Sequence, residues 1–194
     1  MCKFENVRMT AMQTIFTFPD FQIFKLKRIF LIGFMGSGKT HWGRKLAEKL
    51  QLPFFDLDSV VAQTEKKSIS DIFVEKGEEY FRYKEKEVME ALVSDHENFI
   101  LSCGGGTPCF FNNITFMKET GKVVWLNTPI DLLKERLLKE RTSRPLIRAI
   151  GDAELKSYII RKLGERKMYY GQANVIADEE NITLDSLIEL LNHE

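Results

Sequence analysis

Residues 33–40 read Gly-Phe-Met-Gly-Ser-Gly-Lys-Thr and fit the spacing G-x-x-x-x-G-K-[ST]. Each residue type in that pattern has a physical task. Glycines let backbone N–H groups turn toward a polyphosphate with no Cβ in the way. A helix starting at the same place aims its positive end at that anion. Lys39 can reach β- and γ-phosphates, and the Thr40 hydroxyl suits Mg²⁺. Gly33, Gly36, Ser37, Gly38, Lys39, Thr40 and the adjoining His41 are therefore the nucleotide-binding candidates. The apolar run "RIFLI" precedes the loop and an amphipathic stretch follows it, which is the strand–loop–helix context the motif requires.

Two further clusters carry polar chemistry. Asp56 and Asp58, in "DLD", follow a second apolar run. Alternate residues on a strand point to opposite faces, yet both carboxylates leave at the C-terminal edge, where ligands bind in parallel sheets. One acid could organise Mg²⁺ through water while the other accepts a proton from a substrate hydroxyl. The plainer reading is an acidic helix cap. Downstream, "GEEYFR" opens a helix, and "SCGGGT" follows another apolar run. Three successive glycines cost backbone entropy, and close approach to a ligand would explain them.

The elements needed to hold these groups are legible as alternating apolar and amphipathic stretches, which predict a parallel sheet between helices. Strands are expected at 28–32, 53–57, 99–102, 123–127 and 174–177. Helices are expected at 40–50, 68–76, 78–95, 112–120, 130–139, 153–170 and 183–192. Ser68 with Asp71 reads as a helix-start cap. The fold class is α/β: three layers around a five-stranded parallel sheet.

Composition narrows the function. The 194 residues suit one domain, and 28 basic residues balance 28 acidic ones, so the electrostatic footprint of a nucleic-acid binder is lacking. Cys2, Cys103 and Cys109 have neither metal nor redox spacing, which points to a reducing cytoplasm. His41, His96 and His193 are scattered and show no zinc pattern. No apolar run is long enough to span a membrane. Residues 1–26 lack a small-residue cleavage site and are broken by Pro19-Asp20, against a secretory signal. They read either as a packing extension or as a stretch ahead of a start at Met9 or Met12. With no Asn-Lys-x-Asp signature for guanine, and a chain too short for most oligomeric ATPase modules, a small-metabolite kinase is the favoured class.

Taken together, "GFMGSGKT", "DLD", "GEEYFR", "SCGGGT", "ERTSRPL" and "RKMYYGQA" resemble the shikimate kinase family in order and separation, from about residue 28 to the C-terminus. The resemblance implies a domain over 27–194, with a substrate-binding part at about 58–95 and a lid at about 140–153. It implies transfer of the ATP γ-phosphate to the 3-hydroxyl of shikimate with Mg²⁺, by a cytoplasmic monomer. Asp58, Arg82, Gly104, Gly105, Gly106 and Arg166 match shikimate-binding positions. Asp58 would accept the attacking hydroxyl's proton, and Arg82 and Arg166 would clamp the carboxylate, a task suited to the guanidinium fork. Phe73 and Phe81 match walls of that pocket, and Glu85 a partner of Arg82. Asp56 and Ser102 would meet Mg²⁺ through water. Arg144 matches the lid arginine that closes on ATP, with Arg141 joining it, so Lys39, Asp58 and Arg144 form the catalytic set. The chain departs from the family pattern at Ala62, Lys66, Met168 and His41-Trp42. A gluconate kinase would share the phosphate loop without needing the two arginines or the glycine triplet. A nucleotide-binding regulatory module would not need Asp58.

Overall fold

The computed structural model describes residues 28–140, 147 and 150–192. The segment 1–26, Arg141 and Arg144 lie outside these, as does most of the expected lid. Along the chain come β1 (Arg28–Ile32), α1 (Lys39–Leu50), β2 (Phe54–Asp56), α2 (Leu57–Glu65), α3 (Ile69–Asp95) and β3 (Phe99–Ser102). A short 3₁₀ turn (Thr107–Cys109) leads to α4 (Asn113–Thr120), β4 (Lys122–Asn127), α5 (Ile130–Lys139), α6 (Asp152–Tyr170), β5 (Val175–Asp178) and α7 (Leu184–Asn192).

The strands pair in parallel in the order β2-β3-β1-β4-β5. The central ones are near-continuous apolar runs because helices cover both faces. Phe30, Ile32, Leu101, Val123 and Trp125 face one way, onto α2, α3 and Tyr170 of α6. Ile29, Leu31, Ile100, Val124 and Leu126 face the other way, onto Trp42 and Leu46 of α1 and Leu187 of α7. Each such fully buried Leu, Ile or Phe contributes roughly 1.5–3 kcal/mol over leaving it in water. A third cluster joins Phe34 of the phosphate loop to Leu133 and Leu137 of α5, Leu155 and Ile159 of α6, and Ile147. That cluster ties the loop to the two helices that flank the expected lid in sequence. No helix among the described residues is long and apolar enough to cross a membrane.

Most boundaries fall within a residue of expectation, and two differences matter for the site. The strand expected over 53–57 ends at Asp56, because Leu57 opens α2, a helix that the apolar pattern does not reveal. Asp56 caps that helix, its side chain accepting from Ser59 N, while Leu57 and Val61 are buried one turn apart. The expected helices 68–76 and 78–95 run on as α3 through a break at Gly77, whose φ of 81° and ψ of 173° are not helical. Ser68 caps its start, accepting from Asp71 N at 3.1 Å.

Lys66, one of the departures from the family pattern, closes α2 in the left-handed conformation at φ 53°. That position favours glycine, since a Cβ there costs roughly 1–2 kcal/mol, of which glycine's extra unfolded-state entropy takes back part. Lys66→Gly should therefore raise the melting temperature by about 1–3 °C in a thermal unfolding scan without altering catalysis.

Candidate active site

The phosphate loop sits at the C-terminal end of β1, the central strand, between the paths of β3 and β4. Gly33 adopts φ 144°, and a Cβ there would stand 2.8 Å from both Leu126 O and Ser37 Oγ. Gly36 and Gly38 are also left-handed, at φ 80° and 84°. Gly38 caps α1 without any side-chain hydrogen bond, and the first turn of α1 holds no acid, so the positive end of the helix faces the loop without a competing carboxylate of its own. Ser37 is buried, its carbonyl accepting from Thr128 Oγ1 at 3.5 Å. Lys39 Nζ spans the loop, donating to Gly33 O at 2.9 Å and Phe34 O at 2.8 Å.

Register brings the second cluster beside the first. β2 and β3 align Asp56 with Ser102, and β3 and β1 align Ser102 with Leu31. Thr40 Oγ1 consequently donates to Asp56 Oδ2 at 2.9 Å and lies 3.5 Å from Ser102 Oγ. Asp56 is thus a helix cap, the plainer of its two sequence readings, and also the partner of Thr40. Asp58, expected just past the end of the second strand, lies in the first turn of α2, because the chain changes from strand to helix at Asp56. Both carboxylates line one cavity of about 560 Å³, together with Lys39, Thr40, Ser102 and Gly105. Hydroxyl and carboxylate oxygens are hard donors of the kind Mg²⁺ takes alongside nucleotide phosphates.

The glycine triplet turns away from β3 beside Asp58. None of its members has a left-handed φ, so glycine is required there for space. A Cβ on Gly104 would collide with Glu85 Oε1 and stand 3.0 Å from Asp58 Oδ1. One on Gly105 would meet Arg166 Nη1 at 3.1 Å, and one on Gly106 would meet Arg82 Cζ at 2.7 Å. Side chains of this chain, and not only a ligand, fill the room the glycines leave. The structure so gathers Asp58, Arg82, Gly104, Gly105, Gly106 and Arg166 around one turn, although the two arginines stand beside the cavity and do not line it.

Arg82 is 6% exposed and ionically matched. Its Nη1 donates to Glu85 Oε2 at 2.6 Å, and its Nη2 and Nε donate to Glu78 Oε1 at 2.9 and 3.1 Å. The rings of Phe81 and Phe110 lie 5.1 and 4.9 Å from its guanidinium carbon, with Phe73 at 6.0 Å. The expected Glu85 partnership is thus present, and Phe73, Phe81 and Phe110 stand around the guanidinium. Burial raises the Glu85 carboxyl to about 7, against the pull of the Arg82 charge and a hydrogen bond from Thr107. Arg166, on α6, lies over the Phe34 ring at 5.4 Å. Cys103 is fully buried with its thiol pushed well up by desolvation, as expected of a packing residue.

Four side chains at the site escaped sequence reasoning. Tyr170, buried at the end of α6, donates its hydroxyl to Gly105 O at 2.5 Å and pins the triplet. Arg136 of α5 donates to Gly36 O at 3.2 Å and to Glu179 Oε1 at 2.9 Å, and Trp42 Nε1 reaches the same oxygen at 3.4 Å. All four side chains belong to helices or a loop far apart in sequence, and only the quoted run "RKMYYGQA" contained a signal for one of them, Tyr170. His41 lines the cavity near Arg136, its ring edge-on to Trp42 at 5.4 Å. Met168 is 70% exposed, so its departure from the family pattern falls on the surface.

A phosphate loop on the central strand of a parallel α/β sheet, with an acid in the same cavity and two arginines beside it, defines a P-loop kinase of small anionic acceptors. The family model for shikimate kinase matches residues 35–192. A shikimate kinase of Azobacteroides pseudotrichonymphae is 43% identical over 166 residues, covering 86% of this chain and 98% of that protein. The crystal structure of shikimate kinase from Bacteroides thetaiotaomicron superposes with a TM-score of 0.82 at 38% identity, over 87% of this chain and 99% of that one. Shikimate kinase from Acinetobacter baumannii, solved in complex with shikimate, gives a TM-score of 0.75 at 31% identity, over 85% of this chain and 90% of that one. The chain belongs to the shikimate kinase family.

The packing of Arg82 against Gly106 yields a direct test. Gly106→Ala must displace the guanidinium, since Phe81, Phe110 and Glu85 close its other sides. In steady-state assays kcat/KM for the acceptor should fall at least about tenfold, roughly 1.4 kcal/mol, with KM for ATP little changed.

Proposed function

We propose that this protein transfers the γ-phosphoryl group of ATP to the 3-hydroxyl of shikimate, giving 3-phosphoshikimate and ADP for chorismate and aromatic amino-acid synthesis. One observation carries the reading: Asp58 Oδ1, Arg166 Nη1 and the Arg82 guanidinium converge on consecutive glycines at the sheet edge that also bears the phosphate loop. A carboxylate to receive a hydroxyl proton and two guanidinium groups to hold a carboxylate match a hydroxy acid.

Phosphoryl transfer asks the protein mainly for positioning and neutralised charge. Gly33, Gly36, Ser37 and Gly38 offer the loop N–H groups to the phosphates. Lys39 exchanges its loop carbonyls for β- and γ-oxygens. Asp58 accepts the proton from the attacking hydroxyl, and Arg82 and Arg166 fix the acceptor's carboxylate so that this hydroxyl points at the phosphorus. Mg²⁺, bound with ATP, would supply neutralisation of the phosphate charge; Thr40 would hold it directly, and Asp56 and Ser102 through water. Arg144, with Arg141, is assigned to the lid of about 140–153, whose closure keeps water from taking the phosphoryl group. His41 borders the nucleotide. The substrate-binding part is placed at about 58–95 within a domain of 27–194. Dispersed cysteines support a reducing cytoplasm, and we assign a monomer.

Lys39→Ala should lower kcat at least about a hundredfold with any acceptor, as loss of a transition-state charge contact does. Arg82→Ala should raise KM for shikimate at least about tenfold and leave KM for ATP within about twofold, for a buried charge contact that only the acceptor makes. An ADP-release assay run side by side with shikimate, gluconate and nucleoside monophosphates checks the acceptor. Turnover of gluconate without turnover of shikimate would overturn the assignment.

A further inference from the structure

Thr107 follows the glycine triplet and opens the 3₁₀ turn. It is fully buried, and its surroundings fix it on three sides. Its N–H donates to Gly104 O at 3.1 Å, and its carbonyl accepts from Asn113 Nδ2, itself buried, at 2.9 Å. Its hydroxyl, which has one proton to give, donates to Glu85 Oε1. The Glu85 side chain is wholly buried, and its other oxygen receives Arg82 Nη1. A chain of buried contacts therefore runs from α4 through Thr107 and Glu85 to the guanidinium.

We propose that Thr107 is a positioning residue of the acceptor site: its hydroxyl fixes the Glu85 carboxylate, which fixes the Arg82 guanidinium against Gly106. The inference rests on the reading above that Arg82 holds the acceptor's carboxylate. Arg82 has two anionic partners of different character. Glu85 is inside the protein, whereas the Glu78 side chain is 56% exposed and sits at the helix break after Gly77. The guanidinium keeps one place only while the interior partner is charged and oriented. Loss of the Thr107 hydroxyl would leave a buried carboxylate oxygen short of a donor and shift Arg82 toward Glu78.

The electrostatics agree in direction. Glu85 faces the Arg82 cation, the Asp58 carboxylate and the thiols of Cys103 and Cys109, which burial holds neutral. Burial raises Glu85 to about 7, while Arg82 and the Thr107 hydroxyl pull it down. Without that hydroxyl the carboxyl keeps its proton to higher pH, so any defect should be worst at neutral pH and shrink as pH rises.

The test is steady-state kinetics on the full chain, varying shikimate and ATP separately across about pH 6–9, for Thr107→Val, Thr107→Ser and, in parallel, Arg82→Lys. Thr107→Val should raise KM for shikimate about tenfold near neutrality while KM for ATP stays within about twofold, and Thr107→Ser should restore the parent value within about threefold. The defect in the valine variant should diminish toward the alkaline end. If valine prevents folding, Thr107→Ala removes the hydroxyl without a new methyl. The inference is overturned if the hydroxyl-free variant keeps the parent KM for shikimate, loses both substrates equally, shows no pH dependence, or is matched in its defect by serine. Arg82→Lys separates the two levels. Unchanged shikimate KM in that variant removes the Arg82 reading itself, while a defect there without one at Thr107 removes only the present inference.

Discussion

Much in this molecule depends on how a loop can hold a polyanion with backbone alone. N–H groups serve that purpose only if the chain turns through left-handed conformations and nothing else claims them. Gly33, Gly36 and Gly38 provide the turns, and the first turn of α1 carries neither a side-chain cap nor an acid. Such a loop has little packing of its own. It is held because β1 is buried on both faces and because Phe34 is driven into the cluster formed with α5 and α6. The apolar layers of the sheet are thus what fix the position of the phosphates.

The acceptor side solves the opposite problem, that of keeping a cation ready inside the protein. A buried guanidinium is costly unless paired and hydrogen-bonded. Arg82 is given Glu85 beneath, Glu78 outside and aromatic rings around it. The glycine triplet makes room for this group, as it does for Arg166 and for Asp58 with Glu85. Charge and space are linked here: each missing Cβ marks a polar side chain standing where it would have been. The Tyr170 hydroxyl on Gly105 O then joins the triplet to α6, the helix that carries Arg166.

Between the two halves stands Asp56, which shows how one residue can serve local structure and chemistry together. One oxygen caps α2 through Ser59, and the other receives the Thr40 hydroxyl. Capping holds the carboxylate in place, and the same geometry brings Asp58, two residues on in the first turn, to the cavity. The helix that does this was invisible to hydrophobic periodicity because it is short and offers only Leu57, Val60 and Val61 as apolar residues.

The sequence by itself determined the phosphate loop and the parallel α/β fold, because these rest on local rules: glycine for left-handed turns, apolar runs for buried strands, and a motif at short spacing. The roles of the acid and the two arginines, and the pairing of Glu85 with Arg82, came from the resemblance to the shikimate kinase family; in the structure Glu85 and Arg82 stand three residues apart on one face of α3. Tertiary structure alone decided which groups meet. Register set Asp56 against Ser102 and so delivered both to Thr40. Packing decided that Arg136, Glu179 and Trp42 join at the phosphate loop, and that Thr107 and Tyr170 brace the acceptor turn. Such contacts join positions up to 137 residues apart, where no periodicity reaches. The glycine triplet shows the division most clearly. Its need for room was legible in the sequence, but that Arg82, Arg166 and Glu85 take up the room became evident only in three dimensions.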